Sequence, residues 1–121
     1  METFSMVRPE HLNHHGFLFG GQLLLWVDEY AWLAAARDLP GCRLVTRAMD
    51  SISFIRSAPV GSILRFDISQ TYKGQTSAKY QVSVFCDPQT GAHEYNIFST
   101  NVIFVNVDQN CNKKPFCNDK N

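Results

Sequence analysis

The segment from Gly20 to Leu39 constrains this chain more than any other feature, because it reads as a helix that is apolar almost all the way round. Leu23, Leu24, Leu25, Trp26, Val27, Tyr30, Ala31, Trp32, Leu33, Ala34, Ala35 and Ala36 leave it little polar surface. Such a helix is expected to be buried on most sides, as an inner rod wrapped by a sheet would be. Pro40-Gly41 stops it, since proline cannot continue a helix and glycine tolerates a left-handed C-terminal turn. Beyond that point the hydrophobic period changes from helical to alternating. Phe66, Ile68 and Tyr72 alternate with Arg65, Asp67, Ser69 and Thr71, and Ala78, Tyr80, Val82, Val84 and Cys86 repeat the pattern. Lys73-Gly74-Gln75 supplies the turn between these strands, and Asp87 to Gly91 supplies the next. Further strands are expected at Glu2–Val7, Leu44–Phe54 and Glu94–Val107. One strand, one long helix and four more strands make an α+β layer architecture. A single helix covers one face only, so self-association is a natural expectation.

With 121 residues, 45% of them hydrophobic, the chain can bury a core of its own. A single domain is expected over residues 1–107, followed by a polar, Asn- and Lys-rich tail over 108–121 that reads as frayed. The formal net charge is zero, which argues against a nucleic-acid partner, normally met by a basic face. No apolar run approaches the length of a membrane span, and Met1 to Val7 lack the pattern of a secretory signal. Cys42, Cys86, Cys111 and Cys117 form no CxxC pair and read as reduced thiols in a cytoplasmic protein. A Cys111–Cys117 bridge would fall within the tail.

One residue breaks the apolar pattern of the helix. At about 100° per residue Gln22 and Glu29 share a narrow polar strip, while Asp28 falls in the sector of Leu24, Ala31, Trp32 and Ala35. A carboxylate among apolar side chains costs several kcal/mol unless it is paired, hydrogen-bonded or protonated. Burial also raises a carboxyl pKa, which is how enzymes obtain a base that works near neutrality. Two readings stand: a structural aspartate satisfied at a subunit contact, or a catalytic one. Gly20-Gly21 opens the helix after Asn13-His14-His15-Gly16-Phe17-Leu18-Phe19. A helix N-terminus presents unpaired N–H groups and a positive dipole end, and glycine lets a ligand approach them, which suits a developing oxyanion. Tight helix–sheet packing at the two glycines is the plainer alternative.

Asn13-x-x-Gly16-x-x-Phe19-Gly20-Gly21-Gln22-Leu23-Leu24-Leu25-Trp26-Val27-Asp28-Glu29 closely resembles the acyl-CoA thioesterases of the hot-dog superfamily, of the acyl-CoA hydrolase type. The resemblance continues through Ser53-Phe54-Ile55-Arg56, Pro59-Val60-Gly61 and Lys73-Gly74-Gln75-Thr76-Ser77, and covers the chain from about Arg8 to Val107. It implies a helix wrapped by a five-stranded antiparallel sheet, with two sheets joined edge to edge in a homodimer, often assembled further as a trimer of dimers. It further implies hydrolysis of an acyl-CoA substrate without cofactor or metal, at a site on the dimer interface. By position, Asp28 would be the general base or a direct nucleophile, and Asn13 of the facing protomer would orient water or thioester. The backbone N–H groups of Gly21 and Gly20 would hold the oxyanion. Gly74, Gln75, Thr76 and Ser77 would line the CoA path, with Arg56 a candidate for its phosphates. Ser57 and Ser62 depart from the common pattern, where proline and aspartate are frequent.

Other chemistries find less support. His11, His14 and His15 lack a recognised metal-ligand frame. No serine sits in a nucleophile elbow, and Asp28 and Glu29, being adjacent, diverge rather than pair. A non-catalytic acyl-CoA-binding module on the same fold is the main alternative, and a hot-dog dehydratase is a weaker one, since no matching His motif is present.

Overall fold

The helical segment forms as its pattern demands. In the computed structural model, which describes residues 1–116, helix α1 spans Gly20–Asp38. The Leu39 N–H still donates to the Ala35 carbonyl at 2.9 Å, and Gly41 then takes a positive φ of 80° that releases the chain. Leu23, Val27, Ala31, Ala34 and Ala35 form its buried seam, the i, i+4 and i+3 spacing of one helix face. Three alanines in that seam let α1 lie close on the sheet, and the gap is filled from the sheet side by Phe66, Tyr80, Phe98 and Phe104.

Five strands make one antiparallel sheet in the order β1-β3-β4-β5-β2, with β1 at Glu2–Met6, β2 at Leu44–Phe54, β3 at Ile63–Lys73, β4 at Ser77–Asp87 and β5 at Tyr95–Asn106. The alternation holds along β4, where Ala78, Tyr80, Val82, Val84 and Cys86 are all buried. Each fully buried Val, Leu or Phe contributes about 1.5–3 kcal/mol of apolar transfer. Trp26 and Tyr30 of α1 meet Phe66 edge-on, with ring centroids 6.3 and 4.9 Å apart. This helix on a curled antiparallel sheet is the α+β hot-dog plan.

At the far end of α1, Tyr80 donates its hydroxyl hydrogen to Asp38 Oδ2 at 2.8 Å and accepts one from Gln70 Nε2 at 2.9 Å. Burial, and then the neighbouring Asp38, push the Tyr80 phenol above its ordinary pKa, so it stays a donor and pins the helix end to β4.

Three expectations need correction. Tyr72 is exposed, not half-buried in phase with Phe66 and Ile68, because a bulge between Gln70 and Tyr72 shifts the register. Its ring folds over the following turn, where a Cβ on Gly74 would lie 2.7 Å from the Tyr72 hydroxyl. The helix is also less enclosed than its composition suggests, with Leu25, Trp32 and Leu33 exposed. Finally, residues 108–116 do not fray. Asp108 Oδ1 accepts the N–H groups of Asn110 and Asn112, and Asn106 Nδ2 donates to the Pro115 carbonyl. The Phe116 N–H donates to the Gln75 carbonyl at 2.8 Å, and its ring packs against the core. Cys111 has no disulfide partner among the described residues; Cys117 lies outside them, and so does the Cys111–Cys117 pairing.

Candidate active site

The start of α1 is left chemically open. Phe19 stands at the cap position in extended conformation (φ −72°, ψ 131°), no side chain caps the helix, and no acidic residue lies in the first turn. The first backbone N–H groups of Gly20 and Gly21 therefore project from the positive end of the helix dipole without a side-chain acceptor. Aromatic rings crowd both α-carbons. A Cβ on Gly21 would come within 2.7 Å of the Phe19 ring, and one on Gly20 within 3.4 Å of Phe54. Beside them lies a cleft of about 330 Å³ whose lining includes Leu18, Gly20, Leu23, Phe54, Arg56 and Ile97. The structure thus brings Gly20 and Arg56 to one place.

Asp28 lies two turns further along, about 12 Å up the helix axis at 1.5 Å per residue. It is half-buried, at the border between the buried Ala31 and Ala35 and the exposed Trp32. Its Oδ1 accepts a hydrogen bond from Thr46 Oγ1 at 2.6 Å, the length expected of a hydroxyl bound to a carboxylate. Thr46 belongs to β2, opposite Phe104 of β5, so its hydroxyl fixes the Asp28 rotamer and leaves Oδ2 as the free acceptor. Glu29 points to solvent, as the helical geometry predicts.

Asn13 sits in the loop before α1, closed by its own side chain. Its Oδ1 accepts the N–H groups of His15 at 2.9 Å and Phe17 at 3.2 Å, and Gly16, with φ of 87°, allows the turn. With the carbonyl oxygen committed twice, the carboxamide has a fixed orientation and offers only N–H donors outward. Within one chain no hydrogen bond links Asn13 to Asp28. Nearby, His11 accepts the Arg8 N–H through Nδ1 and packs edge-on against Trp26, while His14 and His15 stack on each other. Among the described residues no group of three or more His, Cys, Asp and Glu side chains is gathered as a metal would need.

The turn Gly74–Ser77 lies at the other end of the sheet from the cleft. Ser77 pairs with Val105 on β5, whereas Phe54 pairs with Phe98, a separation of roughly 23 Å at the rise of a strand. It shares its end of the sheet with Thr46, since Ala78 and Thr46 both flank Phe104. Within one chain the candidate residues therefore fall into two groups: the helix start, Asn13 and Arg56 at one end of β2, and Asp28, Thr46 and the Gly74–Ser77 turn toward the other.

Two residues near these groups escape a reading of the sequence. Thr46 is one; its only signal is a hydroxyl two residues after Leu44, exposed but on the face of β2 that meets α1. Tyr95 is the other, with its ring under the Arg56 guanidinium, 3.9 Å from the carbon to the centroid.

The Thioesterase superfamily model matches residues 15–93, which takes in the helix start, Asp28 and strands β2 to β4. The chain belongs to this superfamily. Among its relatives is an uncharacterized acyl-CoA thioester hydrolase of Bacillus subtilis, 32% identical over 114 residues, covering 92% of this chain and 64% of that protein. Among solved structures, an apo-hexameric acyl-CoA thioesterase superposes with a TM-score of 0.87 at 30% identity, covering 96% of this chain and 74% of that one. An acyl-CoA hydrolase of Staphylococcus aureus in complex with butyryl coenzyme A and coenzyme A superposes with a TM-score of 0.85 at 27% identity, covering 96% and 70%. Mutant forms of that hydrolase replace an aspartate, an asparagine and a threonine by alanine. This superfamily chain spans less than two thirds of the length of the curated relatives it matches, between 18% and 64%. No helix among the described residues is long and apolar enough to cross a membrane.

Proposed function

We propose that the chain hydrolyses acyl-CoA thioesters to a free acid and CoA, with Asp28 as the reacting carboxylate, at a site completed by a second copy of the chain. The Thr46 hydrogen bond to Asp28 carries this reading, because it presents one oriented carboxylate oxygen beside an exposed helix face. The two half-sites of one chain lie at opposite ends of β2. A second copy pairing its β2 antiparallel across a two-fold would bring the Thr46 end of one chain to the Phe54 end of the other. Asp28 would then face the partner's helix start and Asn13. The asparagine and aspartate replaced in the Staphylococcus aureus hydrolase stand at the same spacing as Asn13 and Asp28, which supports the same reading. The hexameric relative supports self-association.

In this reading Asp28 Oδ2 takes a proton from water as the water oxygen attacks the thioester carbonyl. Electron density moves onto the carbonyl oxygen, where the Gly21 N–H, the helix dipole and the outward Asn13 amide stabilise it. The tetrahedral intermediate collapses, the C–S bond breaks, and the departing thiolate takes back the proton held by Asp28. Attack by Asp28 itself, giving an acyl anhydride that water then opens, uses the same groups. A single turnover in ¹⁸O-water can identify the nucleophilic route: ¹⁸O in the Asp28 carboxylate shows an anhydride opened at the Asp28 carbonyl, which the base route never produces.

Asp28→Asn keeps the size and the Thr46 contact but removes the base. Its kcat on a panel of acyl-CoAs should fall by about 10²–10⁴, with folding unchanged by circular dichroism. Near-parental turnover in the folded variant would remove Asp28 from the chemistry. Acyl-CoA binding with no CoA release by the parent protein would make it a binding module instead.

A further inference from the structure

Arg56 emerges from the end of β2 with a side chain long enough to sweep a wide volume, and it is not left to do so. Its guanidinium lies over the Tyr95 ring at 3.9 Å, well inside the range of a cation–π contact. Tyr95 opens β5 opposite Cys86 of β4, and its hydroxyl donates to the Ser57 carbonyl at 3.3 Å. Ring and loop are thus tied together on either side of Arg56. Burial, and then the adjacent Cys86 thiol, raise the Tyr95 pKa, so the ring stays neutral as the pH rises. No carboxylate claims Arg56: among the described residues the side-chain ion pairs belong to Arg65, with Glu2 and Glu94. A cation that is held in place, unpaired and set beside the cleft with Gly20 is prepared for an anion that arrives with a ligand.

We propose that Tyr95 is a positioning residue that holds the Arg56 guanidinium at the mouth of the cleft, where it grips the phosphate groups of CoA. This rests on the acyl-CoA reading above and names the part of the substrate that this corner recognises. The thioester end is handled by Asp28 and the helix start, so Tyr95 acts on recognition of the phosphorylated end and leaves the chemical step alone.

Calorimetric titration with CoA and with pantetheine, which lacks the phosphates, tests the clamp without requiring turnover. Tyr95→Leu is expected to weaken CoA about 3–5-fold, the range of a cation–π contact, and to leave pantetheine unchanged. Tyr95→Phe, which keeps the ring, restores CoA binding. Arg56→Gln, on an exposed side chain, produces the same CoA-selective loss, and adding Tyr95→Leu to it weakens CoA no further. Tyr95→Leu weakening both ligands equally, or neither, overturns the clamp, as does an additive double variant. Should Tyr95→Leu fail to fold, Arg56→Gln and Tyr95→Phe decide alone, and loss of CoA-selective binding in Tyr95→Phe or its retention in Arg56→Gln rejects the clamp. A parent that hydrolyses acyl-CoA while Tyr95→Leu leaves the CoA-to-pantetheine ratio untouched sinks the clamp alone. A parent that binds neither compound sinks the clamp and the acyl-CoA reading together.

Discussion

The two edges of the sheet are built differently. On one side β1 spans five residues, and its flank is closed by a charged cluster in which Arg65 meets Glu2 at 3.2 Å and Glu94 at 2.6 Å. On the other, β2 runs for 11 residues with Val45, Ile52 and Phe54 exposed, and Leu25, Trp32 and Leu33 of α1 are exposed too. The Trp32 indole N–H donates to the Leu44 carbonyl at 3.1 Å and welds the two elements into one surface. Asp50 of β2 has a buried Oδ1 with no hydrogen-bond partner among the described residues, an arrangement that costs about 1–3 kcal/mol until a donor arrives. Phe4 and Met6 of β1 are exposed as well, so length separates the two edges: an 11-residue edge strand offers more unpaired backbone to a second copy than a five-residue one. In the proposed dimer the longer edge, β2, would carry the two-fold.

Breaking the β2 edge should have the largest effect. Ile52→Glu is expected to give monomers by light scattering and to lower activity by about 10²-fold or more, the cost of misplacing groups at a reacting centre. Met6→Glu on β1 should leave the two-fold pair intact. Complementation sharpens the same contrast. Inactive Asn13→Ala and Asp28→Ala chains, mixed equally and allowed to exchange, should recover about a quarter of parental activity, since half the dimers are mixed and each holds one complete site. No recovery after verified exchange would place both residues of a site on one chain. Thr46→Val removes the hydroxyl that orients Asp28 and should lower kcat about tenfold, equivalent to about 1.4 kcal/mol, with little change in melting temperature.

The smallest effect belongs to the β1 side. Its hydrogen bonds to Arg65 hold Glu94 below the ordinary value of 4.5. Stability from a depressed carboxyl is present above its unfolded pKa and lost as pH falls through the folded one. Glu94→Gln should therefore cost a few tenths of a kcal/mol near neutrality, as partly exposed pairs do. That difference should shrink toward zero in thermal melts as the pH falls through the lowered Glu94 value, below 4.5.

Much of this was legible in the residues, for identifiable reasons. Gly20–Asp38 and the β4 core positions follow from single-period patterns that no irregularity disturbs. Asp28 stands out because one charge interrupts a helix face. Thr46 does not, because register shifts between Thr46 and Ala48 and between Asp50 and Ser53 break the alternation along β2, and a hydroxyl marks no face. Tyr72 is misread for the same reason on β3. The docking of 108–116 is hidden by its polar composition: one Asp side chain capping two backbone N–H groups and one aromatic ring suffice to order it, and neither gives a periodic signal. Strand order is equally silent, since nothing local tells β2 to leave its sequence neighbour β3 and pair with β5.

The Thr46–Asp28 hydrogen bond has a consequence for how this protein would be regulated by its own abundance. In the proposed dimer the hydroxyl that holds the carboxylate stands on the strand a second copy would cover, so aim and assembly would share one piece of backbone. Specific activity would then be a function of protein concentration, flat at high concentration and falling on dilution below the dissociation constant of the pair. A cell holding few copies would carry the chain in a latent form, and synthesis of more would switch on turnover more steeply than in proportion to the amount made.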